Sequence, residues 1–133
     1  MRKGTVERES FGLISIIMAA YNAEKTIVHA IESVLNQTYP HFELLVINDC
    51  STDRTVELVK KIATQDKRVR LISNQKNSGV SYTRKHGLDE ARGSWIAILD
   101  SDDAWAPEKL ERQIALQEKT NAELLFTGSA FMD

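Results

Sequence analysis

One cysteine, Cys50, occurs in the 133 residues, so the chain can form no internal disulfide and holds no CxxC pair. A reducing compartment suits that usage, and with no histidine close to it in sequence Cys50 reads as structural rather than nucleophilic. Neither GxGxxG nor GxxxxGK[ST] is present, which removes the dinucleotide fingerprint and the phosphate-cradling P-loop. The three histidines, His29, His41 and His86, show no HExxH or paired spacing, and surface or core roles are expected for all of them. Positive charge is not in excess: 17 Lys and Arg against 19 Asp and Glu give a net charge of −2, without the basic surplus of a nucleic-acid binder. The longest apolar run, near residues 14–20, falls far short of the roughly 20 residues needed to cross a bilayer. The opening MRKGTVERESFG lacks the apolar centre of a signal peptide, so a soluble, cytoplasmic chain is expected. No linker, repeat or low-complexity tract divides the chain. Residues 1–12 read as a polar extension and 13–133 as one globular unit.

What is present is a regular alternation. LISIIMAA (13–20) and FELLVIND (42–49) are nearly uninterrupted apolar runs, as expected of parallel strands covered on both faces. VRLIS (69–73) and WIAIL (95–99) are shorter candidates, and AELLFTGSAFM a fifth. Between them, AEKTIVHAIESVLNQ spaces Ile27, Ala30, Ile31, Val34 and Leu35 as one helical face, with Asn22 as its expected cap. DRTVELVKKIATQ presents Val56, Leu58, Val59 and Ile62 inward behind an Asp53 cap. VSYTRKHGLDEAR is a third helix that Gly93 is expected to end, and PEKLERQIALQEK a fourth that Pro107 opens. Strands alternating with helices of this length predict right-handed βαβ units: an α/β, Rossmann-like parallel sheet with helices on both faces and strand order 3-2-1-4.

In such a sheet the chemistry gathers beyond the carboxyl ends of the strands. The turns there are AYNAE, NDCSTD, NQKNSGV and DSDDAW, three of them rich in Asp or Asn. Asx residues are favoured in turns in any case, and Asp53 is read as a cap. DSDDAW is different, because it sets three carboxylates within four positions after an uncharged strand. Two carboxylates roughly 4 Å apart repel by about 4 kcal/mol at an effective dielectric near 20, so a counter-charge or a well-bonded turn is required. A Mg²⁺ or Mn²⁺ ion held by one or two carboxylates and completed by phosphate oxygens would meet that need. Strand alternation pairs Asp100 with Asp102, while a turn would keep Asp103 a candidate.

SIIMAAYNAEKTIVHAIESVLNQTYPHFELLVINDCSTDRT followed by NSGVSYTRKHGLDEARGSWIAILDSDDAW strongly resembles the nucleotide-sugar-binding half of glycosyltransferase family 2, which has the GT-A fold. The likeness runs over about residues 13 to 130 and is specific in combination. It implies that the turn Ala20, Tyr21, Asn22 receives the nucleotide, with Tyr21 against the base. It implies that Asp49 contacts the base, although Asn48 stands where many relatives have a further aspartate, and that Arg84 reaches the nucleotide. The family's Asp-x-Asp motif falls on Asp100, Ser101 and Asp102, with Asp102, Asp100 and Asp103 as metal candidates. Trp105 is expected to pack above the fourth helix rather than to line the sugar pocket.

The resemblance further implies an inverting, metal-dependent transfer of sugar from a nucleoside diphosphate, a UDP-sugar above all, to a saccharide or lipid-linked acceptor hydroxyl in cell envelope polysaccharide biosynthesis. Related enzymes draw the general base and acceptor pocket from a segment beyond a fifth strand. No carboxylate before Asp133 suits that role, so the chain reads as the donor half of a larger, membrane-associated enzyme, with little turnover of its own. An uncovered final strand would favour a homodimer. Three rivals remain, the first of them also an enzyme. A nucleotidyltransferase needs a Gly-rich basic loop where AYNAEKT stands. A phospho-receiver module needs its acidic pair after the first strand, where Ala20, Tyr21 and Asn22 lie. A non-catalytic nucleotide-sugar-binding or assembly domain shares the donor pocket and is separated only by turnover.

Overall fold

A computed structural model of the chain describes residues 12–120. Four strands and four helices alternate: β1 (Ile14–Ala20), α1 (Ile27–Leu35), β2 (Phe42–Asn48), α2 (Thr55–Gln65), β3 (Val69–Ser73), α3 (Val80–Glu90), β4 (Trp95–Ile98) and α4 (Lys109–Thr120). All strand pairs are parallel and the sheet order is β3-β2-β1-β4, as the alternation predicts. The expected fifth strand, and with it the surface proposed for dimerisation, lies outside the described residues. Among the described residues no helix is long and apolar enough to cross a membrane.

The sheet's two faces are filled very unequally. Ile14, Ile16, Met18 and Ala20 of β1 join Phe42, Leu44 and Val46 of β2 in a large core. Onto it pack Ile27, Ala30, Ile31 and Val34 of α1, Val59 of α2, and Leu110 and Ile114 of α4. The opposite face holds a cluster of three fully buried residues, Ile17, Leu45 and Ile47, and α3 lies against it. Of α3's own residues only Thr83 and Gly87 are buried. Gly87 permits the close approach, since a Cβ there would stand 2.6 Å from Ile17 Cγ2. Burying the central apolar runs on both sides supplies most of the driving force, at about 25 cal/mol per Å² removed from water.

Below this small cluster the same face carries a polar knot. Glu43, 7% exposed, accepts the Ser15 hydroxyl at 2.6 Å and the Arg92 N–H at 2.7 Å, while Arg70 Nη1 lies 3.6 Å from its other oxygen. Gly93 donates its N–H to Ser15 Oγ at 2.8 Å. This corrects the role expected of Gly93: α3 ends at Glu90 with Ala91 in extended backbone. Gly93 is needed instead for contact with β1, where a Cβ would meet the Leu13 carbonyl at 2.6 Å.

Asn22 is not the cap of α1 either. It sits in the left-handed region at φ 48°, a conformation Asn tolerates better than most residues, and turns the chain away from β1. The free N–H groups at the entry to α1 are satisfied from the next unit: Ala23 donates to Thr55 Oγ1 at 2.8 Å and Glu24 to Asp53 Oδ2 at 3.2 Å. Asp53 is not the cap residue expected for α2: Arg54 stands at that position without a side-chain cap bond, and Asp53, one residue earlier, accepts the Thr55 N–H at 2.9 Å. Trp105 is 8% exposed within the large core, as expected of a packing residue.

Candidate functional site

Register fixes where the strand ends meet. Ala20 pairs with Asn48 and Asn48 with Ser73, so the turns beginning at Tyr21, Asp49 and Asn74 leave the sheet side by side. Backbone bonds continue one step past the ladder, from Asp49 N to Ala20 O at 2.8 Å and from Asn74 N to Asn48 O at 2.9 Å. Two of these turns are then stitched together. Asn22 N donates to Ser51 Oγ at 3.0 Å, and Asn22 Oδ1 accepts the Thr52 N–H at 2.7 Å. Tyr21 is left standing on this base with 53% of its surface open, a flat apolar ring with no core role. Ala20, beneath it, is buried.

Asp49 is 5% exposed and organises the neighbouring turn. Its Oδ1 accepts from Asn74 Nδ2 at 3.0 Å and from Ser78 N at 2.8 Å, and its Oδ2 from Gly79 N at 2.9 Å. Burial pushes the carboxyl's pKa up, yet those three hydrogen bonds together outweigh it and hold the group below the ordinary aspartate value. An ionised carboxylate offers about four acceptor positions, so one on Oδ2 remains for a ligand N–H. Asn48, at the position where an aspartate was noted as common, uses its amide internally: Oδ1 accepts from Ser51 N at 3.0 Å and Nδ2 donates to Ser73 Oγ at 3.2 Å. Cys50 turns the chain at φ 62°, half-buried, with its thiol 3.5 Å from the Asn74 carbonyl, a structural placement.

The acidic tip departs from strand alternation. β4 ends at Ile98, and Asp103 N donates to Asp100 O at 3.1 Å, closing a turn over residues 100–103. Sidedness along a strand therefore does not apply to these aspartates, and Asp103 stays beside the other two. The crowding of negative charge is relieved in two ways. Asp100 Oδ1 accepts from Arg84 Nη2 at 2.8 Å, so α3 supplies the counter-charge. Asp103 Oδ1 accepts the Ala104 N–H at 2.9 Å. Among the described residues the Asp102 carboxylate has no partner, and both Asp102 and Asp103 are exposed. Arg84 Nε is buried without a hydrogen-bond partner, leaving one charged donor unspent on the protein.

Among the described residues no group of three His, Cys, Asp or Glu side chains could by itself enclose a metal ion. The donor set nevertheless fits Mg²⁺ or Mn²⁺, which keep several waters and take one or two carboxylates plus substrate phosphates. Asp102, with Asp100 or Asp103, is that kind of partial ligand set.

Tyr21, Asn22 and Asp49 lie in adjoining turns after β1 and β2, and Arg84 meets the acidic turn at Asp100. Sequence pattern did not point to Asn74, Thr83 and His86, which join Asp49 in a polar chain: Asn74 Nδ2 lies 2.9 Å from Thr83 Oγ1, and Asn74 Oδ1 2.7 Å from His86 Nδ1. An Asn in a polar turn gives no pattern that distinguishes a buried amide from a solvated one. A cleft lined by Ser73, Asn74, Lys76, Asn77, Tyr82 and His86 opens at residues 72–78, and none of the expected donor residues lines it.

Comparison with known proteins agrees with this fold. The model of glycosyl transferase family 2 matches residues 15–130, and the chain belongs to that family. The Escherichia coli UDP-Glc:alpha-D-GlcNAc-diphosphoundecaprenol beta-1,3-glucosyltransferase WfgD is 45% identical over 114 residues, which cover 86% of this chain and 44% of that protein. The succinoglycan biosynthesis protein ExoO of Rhizobium meliloti is 44% identical over 111 residues, covering 84% and 31%. The chain spans about half the length, or less, of the curated relatives it matches. Among solved structures, S. aureus TarS 1-349 in complex with UDP-GlcNAc superposes with a TM-score of 0.76 at 32% identity, over 81% of this chain and 32% of that one. The mannosyltransferase PcManGT of Pyrobaculum calidifontis, in complex with GDP-Man and Mn²⁺, gives 0.66 at 25% identity, over 69% and 28%.

Proposed function

We propose that this chain is the donor-binding part of an inverting, metal-assisted glycosyltransferase that takes a UDP-sugar. The observation that carries this reading is the asymmetry of the acidic turn. Asp100 is neutralised by Arg84, whereas the exposed Asp102 carboxylate has no partner among the described residues. Tyr21 offers an open ring for the base, and Asp49 retains one acceptor position beside it. Arg84 can turn its unspent Nε–H toward the nucleotide while Nη2 stays on Asp100. Structural neighbours in complex with UDP-GlcNAc and with GDP-Man and Mn²⁺ support a nucleotide-sugar donor.

In the reaction an acceptor oxygen attacks the anomeric carbon from the face opposite the diphosphate. The bond from that carbon to the diphosphate oxygen breaks, its electron pair leaves with the nucleotide, and the acceptor proton passes to a general base. A divalent cation held by Asp102 with Asp100 or Asp103 would set positive charge against the departing diphosphate. This chain's own residues hold the base, the ribose side and the acidic turn in a fixed relation. We assign the general base to none of the described carboxylates. Relatives named for succinoglycan biosynthesis and for glucosyl transfer to alpha-D-GlcNAc-diphosphoundecaprenol support a saccharide or lipid-linked acceptor.

Calorimetric titration of the chain with UDP-glucose or UDP-GlcNAc, with and without Mn²⁺, tests the reading. Affinity is expected to rise with Mn²⁺, and Asp102→Asn to remove that rise while leaving the far-UV spectrum unchanged. Equal affinity in both conditions overturns metal-assisted binding.

A further inference from the structure

Asn74 is buried, at 7% exposure, in a run where Ser73, Gln75, Lys76 and Asn77 are all exposed. Its side chain spends both amide hydrogens and one acceptor position of its oxygen on the protein. A carboxylate can only accept, so the amide NH₂ must face Asp49, and its second hydrogen goes to Thr83 Oγ1. The Thr83 hydroxyl is free to accept because its own proton goes to the Gly79 carbonyl at 2.6 Å. The amide oxygen then faces His86 and accepts from its Nδ1. One side chain just past the end of β3 therefore ties the turn after β2 to the first two turns of α3, and Asp49 carries the tie on to Ser78 and Gly79.

That tie matters because α3 has little else to hold it in place. The helix buries Thr83 and Gly87, neither of which anchors it with a large apolar side chain. Its first turn has no side-chain cap of its own. Ser78 N and Gly79 N are held instead by Asp49, whose orientation Asn74 sets. Arg84, the residue after Thr83, reaches Asp100 across the rim. We propose that Asn74 is a positioning residue of the donor site: without touching the donor, it locks Asp49 and the start of α3 so that Arg84 meets the acidic turn. This rests on the donor-site reading above.

Two measurements separate positioning from general stability. In the ligand-free chain, Asn74→Ala should speed hydrogen exchange at Ser78 and Gly79 by about tenfold, as expected for loss of a bond to a charged acceptor. Val59→Ala, a cavity variant in the large core on the other sheet face, should leave exchange at those two positions unchanged. With UDP and Mn²⁺, Asn74→Ala should bind about tenfold more weakly, and Val59→Ala within about twofold of the parent chain. If Asn74→Ala fails to fold, Thr83→Val, which removes the same hydroxyl link at nearly constant volume, should give the same exchange and binding pattern. Unchanged exchange at Ser78 and Gly79, or equal weakening by Val59→Ala, overturns the proposal. Absence of UDP binding by the unsubstituted chain sinks the donor reading alone, because the exchange measurement still decides whether Asn74 holds the loop.

Discussion

Replacing Gly87 by alanine should destabilise the fold and weaken donor binding together. The new Cβ would lie 2.6 Å from Ile17 Cγ2 and 3.2 Å from both Ile17 Cδ1 and Ile47 Cγ1. Carbon atoms pack favourably from about 3.5 Å, so roughly 0.9 Å must be found by moving the helix or the strands. Ile17 and Ile47 are β-branched, fully buried and held in two neighbouring strands, so they cannot swing aside and α3 must ride outward. Overpacking costs about 1–3 kcal/mol, and the stiffness of both isoleucines puts this site near the upper end. Alanine returns up to about 1 kcal/mol of helix propensity, which leaves a net loss of about 2 kcal/mol and a drop of roughly 10 °C in Tm. The same displacement would stretch the 2.8 Å bond from Arg84 to Asp100, three residues earlier on the helix, past the limit of a hydrogen bond. Thermal unfolding and UDP titration of Gly87→Ala, alone and with Ile17→Ala to open space, give the test. A positive coupling above about 0.5 kcal/mol in the double variant is expected. An unchanged or raised Tm would show that propensity outweighs the clash and would refute the close-approach argument.

Glu43→Ala should cost about 3 kcal/mol in urea unfolding, because it strands the Ser15 hydroxyl and the Arg92 N–H in a buried knot beside Arg70; a loss below about 1 kcal/mol would show that water replaces the carboxylate. Arg84→Met should weaken UDP binding while changing stability by less than about 1 kcal/mol, since its pairing with the half-exposed Asp100 is partly screened; a large fall in Tm would assign Arg84 a structural role instead. Stability should be level near neutrality and fall as pH drops below about 4. The hydrogen bonds from Arg68 to Asp66, against opposing burial, and those to Asp49 hold both carboxyls below the ordinary value, so the unfolded chain takes up protons first. Urea midpoints measured from pH 7 to 3 check the sign, and Asp66→Asn should shallow the decline.

Much of this architecture could be read from pattern alone, because parallel buried strands and amphipathic helices leave periodic traces. The runs at 13–20 and 42–49 are nearly uninterrupted in apolar residues, and every residue of β2 is indeed buried. Ile27, Ala30, Ile31 and Val34 recur at helical spacing and all are buried in α1. What pattern could not reach was geometry set by a partner far away in sequence. Asn22 looks like a helix cap from its neighbours, but its side chain is claimed by Thr52, 30 positions on. Gly93 looks like a helix stop, but its meaning comes from Leu13 and Ser15 at the far end of the chain. The aspartates of the acidic turn were visible as chemistry, while the identity of the counter-charge depended on how α3 crosses the sheet.

That crossing explains why the rim that carries Arg84 should be the softest part of the fold. The large core fastens α1, α2 and α4 through apolar side chains, and its contribution scales with the area they remove from water. α3 presents no comparable area: a glycine brings its backbone close to Ile17 and Ile47, the Thr83 hydroxyl bonds to Asn74, and the residues just before the helix bond to Asp49. Net gains from such hydrogen bonds are about 1 kcal/mol each, and losing one leaves a buried group unsatisfied. The helix that carries Arg84 is therefore held by a few directional bonds, which set its position sharply but resist opening weakly. Local opening free energies follow the same division, so amides of α3 should exchange well before those of α1. A nucleotide that engages Arg84 and Asp49 at once would close that gap, because it adds bonds across the seam where the apolar core contributes least.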